Sequence, residues 1–542
     1  MKNQKNSVVL INAPIFQTDE SPNFGLLSLE AYIKGQGFET KIHNSNANCL
    51  NNSRKLFENL MSLTLYNFKQ QGIIYNIIID KFADFIYSDL EKINDLHFRT
   101  VVQNTRTFAE SEARIIAESK ENVIALAVYS SNVIFVCLVS KYIKKNYPEK
   151  KIVFGGPLTF FKPNWNLFLH GFADYLVKGE GELGFLELLK LDLDKVSSTE
   201  LKKVPNLIFK SDKEIMHGPN IQLEDLDSIP KPDYSNFSRK FPLMLSASRG
   251  CTFRCSFCFQ SIAWRKFRSK KVETMIGEIK EYSKLGFKNF DFSDSLLNWD
   301  DEWLESFANA LIKENLGITW NGYFRCENLP LERIKLLKKS GLKELTFGVE
   351  NFDKEALNLF NKKMDADEAQ KVLLDCNKEG LDITMNFIYN YPNETIESFN
   401  FNLRIFLSLL NNFENKNFEI KFQHFHVYTD TIIFRNPEKF GVEIYPVPFK
   451  NDSLDEETNK ILESLNLHWK FTNELTYSNE KFNLLKNLQR NIDDLNMRRH
   501  DQFEGESKEV AILIKKDSRL FYNKQGFEQL GYPTDGLEDL FI

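Results

Sequence analysis

Three cysteines within eight residues are the feature of this sequence that points most directly to chemistry. Cys251, Cys255 and Cys258 have the spacing C-x3-C-x2-C. Thiolates this close in the chain can bind one soft metal centre, and three ligands leave one coordination position open. A structural zinc site normally closes with a fourth Cys or His at short spacing. The nearest histidines are His217 and His424, so the pattern favours an iron–sulfur cluster with one open iron.

The same loop resembles the cluster-binding loop of the radical S-adenosylmethionine (SAM) superfamily. The resemblance implies a [4Fe–4S] cluster whose open iron binds the amino and carboxylate groups of SAM. Reductive cleavage of SAM would then give a 5′-deoxyadenosyl radical. Phe257, directly before the third cysteine, matches the family position whose backbone contacts the adenine of SAM. A zinc-binding interaction module is the alternative for these cysteines, and the missing fourth ligand argues against it.

Short apolar strands and helices alternate through the second half of the chain, a pattern typical of a parallel α/β structure. Six strands are predicted, at residues 243–247, 290–294, 319–325, 344–350, 382–389 and 419–428. Six strand–helix units are similar to the open (β/α)6 partial barrel of radical SAM domains, here residues 243–450. Barrel active sites lie at the carboxyl ends of the strands, so residues there are the candidates.

Four of these candidates follow the second, third and fourth strands. The resemblance implies that Asp294 and Ser295 contact SAM. Arg325 ends the third strand, and its guanidinium suits pairing with the SAM carboxylate. Glu350 matches the family position that accepts hydrogen bonds from the ribose hydroxyls, a task that suits a carboxylate. For Asp294, Arg325 and Glu350, a salt bridge at the barrel rim is the structural alternative.

The loop after the fifth strand resembles the family's G-x-I-x-G-x-P-G-E-T stretch, with asparagine replacing three glycines, at Asn386, Asn390 and Asn393. Asparagine tolerates a positive φ better than most residues, so the loop shape is expected to survive. The resemblance implies that Ile388 packs on adenine.

His424 and His426 lie two residues apart on the last predicted strand and would therefore share one face. In the barrel interior they could contact substrate or act as catalytic acid and base. A buried hydrogen-bonded pair and a metal-ligand pair are equally open readings.

Residues 1–220 predict a Rossmann-like parallel α/β domain with a helical insertion at about residues 50–119. Gly155-Gly156-Pro157 and Gly179-Glu180-Gly181 follow two of its strands, at the edge where such sheets bind ligands. Each motif alone is typical of a tight turn. Together, and upstream of the three cysteines, they resemble the cobalamin-binding domain of B12-dependent radical SAM enzymes.

That resemblance implies a cobalamin site at Gly155, Gly156, Gly179, Glu180 and Gly181. The Asp-x-His-x-x-Gly signature, whose histidine binds cobalt in some cobalamin proteins, is absent from this sequence. The cofactor would then be held without a protein ligand to cobalt. The alternative is a domain that kept its fold and lost its cofactor.

The remaining segments complete an α/β fold class with two main domains. Residues 221–242 carry three prolines among polar residues and predict a linker. Residues 451–542 predict a small, mostly helical C-terminal region, either a substrate-binding cap or a structural one. A helix is expected over residues 454–491, which include Trp469, and a strand pair over residues 510–521. The apolar stretch 123–139 is interrupted by polar residues, so a buried strand and helix explain it better than a membrane span.

Composition narrows the function. The chain has 542 residues and a net charge of −6, which argues against nucleic acid as the main partner. Seven cysteines, four of them dispersed, do not form a disulfide framework and indicate a reducing cytoplasm.

The leading hypothesis is a cobalamin-dependent radical SAM C-methyltransferase acting on a small molecule or peptide, with a flavodoxin or ferredoxin as electron donor. A radical cyclase, rearrangement or oxidation enzyme is the first alternative. A nucleic-acid-modifying enzyme is a more distant one.

Overall fold

The computed structural model describes residues 6–14, 23–52, 79–264, 266–414, 417–452 and 454–472. The chain divides into two compact units. Unit 1 comprises Met1–Gly250, Phe257–Phe287 and His426–Lys470, and unit 2 comprises Cys251–Ser256, Lys288–Phe425 and Phe471–Ile542.

The strands of the described residues are short, as expected for α/β units. They are β1 Val8–Ile11, β2 Thr40–His43, β3 Val123–Ala127, β4 Lys151–Gly155, β5 Tyr175–Val177, β6 Leu207–Ser211, β7 Glu214–His217, β8 Leu243–Leu245, β9 Ser248–Arg249, β10 Arg268–Ser269, β11 Asn289–Phe292, β12 Thr319–Phe324, β13 Leu342–Glu350, β14 Asp382–Tyr389, β15 Phe418–His424, β16 Val442–Pro446 and β17 Leu467–Phe471.

The helices of the same residues separate most of these strands. They are α1 Phe24–Gly35, α2 Ser45–Asn52, α3 Ile79–Ile86, α4 Leu96–Ala117, α5 Val133–Asn146, α6 Lys162–Leu169, α7 Gly181–Leu189, α8 Ser198–Leu201, α9 Gln260–Ala263, α10 Val272–Lys284, α11 Asp301–Glu314, α12 Leu331–Lys339, α13 Lys354–Leu359, α14 Ala366–Lys378, α15 Ile396–Asn412, α16 Ile432–Arg435 and α17 Glu456–Leu465. No helix in the described ranges combines the length and apolar character that a membrane span requires.

The described part of unit 1 is built on a seven-stranded sheet with the order β2-β1-β3-β4-β5-β6-β7. Strands β1 to β5 are parallel, which confirms the predicted parallel α/β sheet. Strand β1 is buried along its whole length, as expected for a parallel strand covered on both faces. The chain winds outward from β1 in both directions, and ligands bind such sheets at this reversal, beyond the carboxyl ends of the strands.

Unit 1 also contains an antiparallel hairpin and the helices of the predicted insertion. Strands β6 and β7 add an antiparallel hairpin to the sheet edge, which the sequence analysis did not predict. Helices α2, α3 and α4 fall in or overlap the predicted helical insertion, and residues 53–78 of that insertion lie outside the described residues.

Unit 2 contains, among its described residues, five parallel strands in the order β15-β14-β13-β12-β11. With β8, all six strands predicted for the barrel are present. One boundary was wrong: β15 ends at His424, so His426 lies beyond the strand and the alternation argument does not apply to it. An aromatic cluster that includes Phe292, Phe307 and Trp320 fills the core beside β11 and β12.

The C-terminal region is described only as far as residue 472. Helix α17 agrees with the predicted helical character. Trp469, which we expected within that helix, lies instead on β17, which pairs with β16. Apolar side chains alternate with polar ones over Leu467–Phe471, a period of two that favours a strand. The strand pair predicted at 510–521 lies outside the described residues.

Candidate active site

The first half of the cysteine loop is anchored to unit 2 through its backbone. Ser256 donates its N–H to the carbonyl of Phe360 (2.9 Å) and its hydroxyl to that of Leu359 (2.7 Å). Asn361 donates its side-chain amide to the carbonyl of Arg254 (2.8 Å). These three bonds attach the first half of the loop to the residues at the end of α13.

Cys251 and Cys255 lie on this loop as free thiols, Cys255 buried and Cys251 half-buried. Burial raises the pKa of the Cys251 thiol. A hydrogen bond from the backbone N–H of Phe253 and the charges of Arg325 and Lys362 act in the opposite direction. Two cations therefore lie where they favour the thiolate, the form that binds metal.

Arg325 contacts the cysteine loop through its guanidinium group. Its guanidinium carbon lies 3.7 Å from the centroid of the Phe253 ring, and its Nη1 lies 3.8 Å from Cys255 Sγ. Its Nε donates to both carboxylate oxygens of Glu327 at 3.1 Å. The position directly after β12 is as predicted. The observed carboxylate partner is Glu327, which the sequence analysis did not identify.

Asn298 connects the loops that follow β11 and β12. Its side chain accepts from the backbone N–H of Arg325 (3.0 Å) and donates to the carbonyl of the same residue (2.9 Å). Asp294 is buried and Ser295 half-buried in the segment just before it. A cleft of about 450 Å³ opens beside Phe253 and Arg325. The loop containing Asp294 and Ser295 is thus tied to the end of β12.

Glu350 ends β13 in a left-handed conformation, with φ of 68°. Such a conformation costs a non-glycine residue about 1–3 kcal/mol, and strain of this kind clusters at functional sites. Burial raises the pKa of this carboxyl, while Lys362 and Arg325 lower it. Lys362 Nζ lies 3.9 Å from Glu350 Oε1, and the Lys362 side chain is buried while that of Glu350 is 12% exposed. Nothing in the sequence marks Lys362, because only the fold brings it to Glu350.

The loop after β14 has the geometry expected from its asparagines. Asn390 and Asn393 adopt left-handed conformations, with φ of 52° and 65°, whereas Asn386 lies within β14 and does not. Ile388 is buried at the end of β14. Its carbonyl accepts from Asn351 (3.2 Å), whose side-chain oxygen accepts in turn from Asn402 (2.9 Å). This relay fixes the ends of β13 and β14 together.

His424 is a neutral hydrogen-bonding residue in this arrangement. Its Nδ1–H donates to the carbonyl of Phe425 (2.8 Å), and its Nε2 accepts from Asn390 (3.1 Å). Burial lowers the pKa of His424. His426 is assigned to unit 1, where its ring lies 4.8 Å from that of Tyr428. The prediction that the two histidines share one strand face was therefore wrong.

Acidification is expected to destabilise the protein through His424. Because its folded-state pKa is lowered, the unfolded chain binds the proton more tightly. The stabilising contribution is complete above the ordinary value of 6.5 and is lost as pH falls below it. His424→Gln should flatten the pH dependence of the unfolding free energy between about pH 7 and pH 5, measured by urea denaturation. Exposed His217→Gln is the control, and equal slopes for the two variants would contradict the prediction.

The glycines predicted to bind a cofactor in unit 1 differ in what an added side chain would contact. A Cβ at Gly156 would lie 2.9 Å from the backbone nitrogen of Val128, and φ there is 88°. A Cβ at Gly179 would lie 3.5 Å from the Phe160 ring, and one at Gly181 would lie 3.3 Å from Leu29.

Gly155 differs from these glycines. An added Cβ there would meet no atom nearer than the carbonyl oxygen of Val177, at 3.9 Å. Gly155 ends β4 at the carboxyl edge of the sheet and is half-buried. The space above this residue fits the close approach of a ligand at that edge.

Alanine substitutions should separate these two neighbouring glycines. Gly156→Ala is expected to lower the unfolding free energy by about 3 kcal/mol, since it adds a backbone clash to a strained φ. Gly155→Ala should change it by less than about 1 kcal/mol. Chemical denaturation of both variants tests this, and similar losses would show that the Val128 backbone does not dictate glycine at position 156.

The other predicted residues are distributed between the two units. Phe257 and Cys258 belong to unit 1. Burial raises the pKa of Tyr428, and the neighbouring Cys258 adds to that effect. Within the described ranges, no three His, Cys, Asp or Glu side chains are arranged as ligands of one metal ion. A three-cysteine centre therefore stays a prediction, supported by the spacing, the free thiols and the adjacent cations.

Comparison with known proteins identifies the domain that carries this site. Residues 245–403 match the Radical SAM superfamily, which confirms the predicted resemblance. An uncharacterized methyltransferase of Pyrococcus horikoshii is 26% identical over 296 residues, 53% of this chain and 64% of that protein. An anaerobic magnesium-protoporphyrin IX monomethyl ester cyclase of Synechocystis is 25% identical over 238 residues, 42% of this chain and 47% of the cyclase.

A solved structure extends the likeness to both units. The radical SAM methyltransferase TsrM of Kitasatospora setae, solved with cobalamin and a [4Fe–4S] cluster, superposes with a TM-score of 0.62. It is 14% identical, and the superposition covers 88% of this chain and 89% of that one. At this identity the likeness establishes the fold. This chain spans about half to two thirds of the length of the two curated relatives.

Proposed function

Because this chain carries a radical SAM domain at residues 245–403, we propose that it reductively cleaves SAM and is a cobalamin-dependent C-methyltransferase. The observation that carries the proposal is the joint occurrence of two features. One is the cysteine loop within the radical SAM domain. The other is a preceding parallel sheet in a fold whose solved relative contains cobalamin.

The cysteine loop would hold the [4Fe–4S] cluster through Cys251, Cys255 and Cys258. When bound, the cluster supplies the electron that cleaves SAM, and cobalamin supplies the methyl group. The protein contributes a buried thiol at Cys255 and the Arg325 charge 3.8 Å from its sulfur. A cation at this distance stabilises negative charge on the sulfur because the surroundings are largely closed to water.

Residues at the strand ends of unit 2 would bind SAM. The half-buried carboxyl of Glu350, on a strained backbone, would accept hydrogen bonds from the ribose hydroxyls, and Lys362 would favour its charged state. Ile388 would pack on adenine, and the Asn351 relay would keep its backbone in place. Asp294 and Ser295 would contact SAM from the loop that Asn298 holds. Phe257 would contribute its backbone.

The edge of the unit 1 sheet would bind cobalamin. Gly155, Gly156, Gly179 and Gly181 would line it, together with the backbone of Glu180. The space above Gly155 supports a close approach, and without the Asp-x-His-x-x-Gly signature the cofactor would be held with no protein ligand to cobalt. We place the substrate among small molecules or peptides, and the electron donor among flavodoxins and ferredoxins. The free cysteines favour a reducing cytoplasm.

A second function is favoured by the likeness to the magnesium-protoporphyrin ester cyclase. In this case the same SAM-cleaving site would start a cyclisation, rearrangement or oxidation without methyl transfer. The cysteine loop and the strand-end residues would keep their roles, and only the fate of the substrate would differ.

Methyl-labelled SAM distinguishes the two functions. The reconstituted protein, supplied with cobalamin and a reductant, is incubated with labelled SAM and fractions of anaerobic cell extract. A methyltransferase transfers the label to a small-molecule or peptide product, with one 5′-deoxyadenosine formed per methyl group. A substrate-dependent 5′-deoxyadenosine yield without labelled product would support the second function and overturn the first.

A further inference from the structure

Four charged side chains form a continuous row of ion pairs at the carboxyl edge of the unit 1 sheet. Glu182 Oε1 lies 2.6 Å from Arg249 Nη2, and Glu180 Oε1 lies 3.3 Å from Arg249 Nη1. Arg268 pairs with Glu180: its Nη1 donates to Oε2 at 3.0 Å, and its Nη2 lies 2.7 Å from Oε1. We call Glu180, Glu182, Arg249 and Arg268 the carboxylate clamp.

The carboxylate clamp is buried and electrically balanced. Both carboxylates and Arg268 are at most 6% exposed, and Arg249 is 16% exposed. Burial raises the pKa of Glu182, but the pairing with Arg249 outweighs it and leaves that pKa below its usual range. Two positive and two negative charges cancel, so removing any one of them leaves an uncompensated buried charge.

The clamp joins three separate segments of unit 1. Glu180 and Glu182 come from the loop after β5 and the start of α7. Leu223, in the segment predicted as a linker, donates its N–H to Glu180 Oε2 (2.8 Å), and its carbonyl accepts from Arg268 Nη1 (2.5 Å). Arg249 and Arg268 are register partners in the antiparallel pair of β9 and β10.

The chain leaves the clamp in a conformation with little freedom. Gly250 has φ of 103°, and a Cβ there would lie 3.2 Å from the carbonyl oxygen of Lys266 and 3.3 Å from Trp264 Cβ. Cys251 is the next residue in the chain. The backbone that delivers the first cysteine is therefore fixed by the clamp on one side and by close packing on the other.

We propose that Glu180 and Glu182 are positioning residues for the cysteine loop, acting through Arg249 on the backbone that precedes Cys251. This inference rests on the proposed function, and it assigns the side chain of Glu180 to the loop rather than to cobalamin. The Gly-Glu-Gly-Glu sequence after β5 then has two tasks. Its glycines shape the sheet edge, and its carboxylates hold the start of the cysteine loop.

Glu180→Gln and Glu182→Gln test the proposal against Asp174→Asn. Asp174 is the matched control because it precedes β5, at the opposite end of the same strand. It forms an ion pair with Lys144 at 2.5 Å and accepts from the backbone N–H of Ile152 at 2.8 Å. Each of the three changes neutralises a carboxylate that is paired with a cation, and each alters the size of the side chain very little.

The first readout is hydrogen exchange in the full chain before cluster reconstitution. Peptides covering Ser248–Arg249 and Arg268–Ser269 should exchange about tenfold faster in Glu180→Gln and Glu182→Gln, since each loses charge-assisted hydrogen bonds. Asp174→Asn should leave these peptides unchanged. Native exchange rates in both clamp variants would overturn the proposal, whether or not the protein binds a cluster.

The second readout is the anaerobic rate at which reconstituted protein loses iron to a chelator. The clamp variants should lose iron about tenfold faster than the native chain, with Asp174→Asn at the native rate. Equal rates in a cluster-loaded native protein and in both clamp variants would overturn the positioning role and leave the proposed function intact. A native chain that takes up no cluster, with faster exchange in the variants, would instead overturn the proposed function and with it the positioning role.

Discussion

Replacing Cys255 by alanine is expected to abolish reductive cleavage of SAM and to remove the [4Fe–4S] absorbance of the reconstituted protein. With three thiolates at C-x3-C-x2-C spacing, loss of one leaves two ligands for a cluster that needs three from the protein. Cys255 is the buried member of the pair in unit 2 and the one that contacts Arg325. Iron content and 5′-deoxyadenosine yield, measured together, report the two losses.

Cys376→Ala is the control for that experiment. Cys376 is also a buried free thiol of unit 2, on α14, and it has no predicted role at the site. Its loss should lower the unfolding free energy by about 1 kcal/mol and leave the cluster in place. Cluster retention in Cys255→Ala, or cluster loss in Cys376→Ala, would contradict the assignment of the cysteine loop.

Arg325→Met is expected to have the second-largest effect. It removes the partner of Glu327, a carboxylate that is only 18% exposed, and the cation beside Cys255 Sγ. Breaking a buried pair by deleting one partner is strongly destabilising, here by about 3 kcal/mol. The reconstituted variant should also lose iron faster, because the thiolate loses a stabilising charge. Urea denaturation and the chelator assay measure the two effects separately.

Arg333→Met provides the comparison. Like Arg325, Arg333 forms ion pairs within unit 2. Its partners are the carboxylates of Asp301 and Glu305, and these are about half exposed. Exposed pairs contribute about 0–1 kcal/mol, so this variant should lose little stability and no cluster. An Arg325 variant that behaves like the Arg333 variant in both assays would show that the contact with the cysteine loop is incidental.

The sequence predicted those parts of the fold that local patterns determine. The six strands of the barrel carry period-two or continuous apolar patterns, and each ends within a few residues of its predicted position except β15. The asparagines at 390 and 393 were predictable for the same reason, because a positive φ depends on the residue itself. The cysteine motif was recognisable for a similar reason, because its interpretation depends only on the spacing of three nearby residues.

Contacts between distant segments could not be predicted in this way. Lys362 beside Glu350 and Glu327 beside Arg325 are ordinary charged residues until the fold places them in a buried site. Glu180 was assigned to a cofactor site because its motif resembles a ligand-binding loop. Its partners, Arg249 and Arg268, are 69 and 88 residues away along the chain. A repeating sequence pattern does not indicate a contact between residues so far apart.

The boundary of β15 shows a related limit. The predicted strand ran to residue 428, although the alternation of apolar and polar residues is interrupted where Gln423 and His424 follow each other. The strand ends instead where His424 turns to bond the carbonyl of Phe425 and the side chain of Asn390. The strand boundary therefore leaves His424 on β15 and His426 beyond it.

The central claim is that this chain cleaves SAM at a cluster held by its three clustered cysteines. The most direct measurement is the 5′-deoxyadenosine produced by anaerobically reconstituted protein with SAM and dithionite, quantified against iron content. About four irons per chain and steady 5′-deoxyadenosine formation, both lost in Cys255→Ala, are the results expected of a [4Fe–4S] centre. One tightly held zinc per chain, with no iron uptake and no 5′-deoxyadenosine, would contradict it.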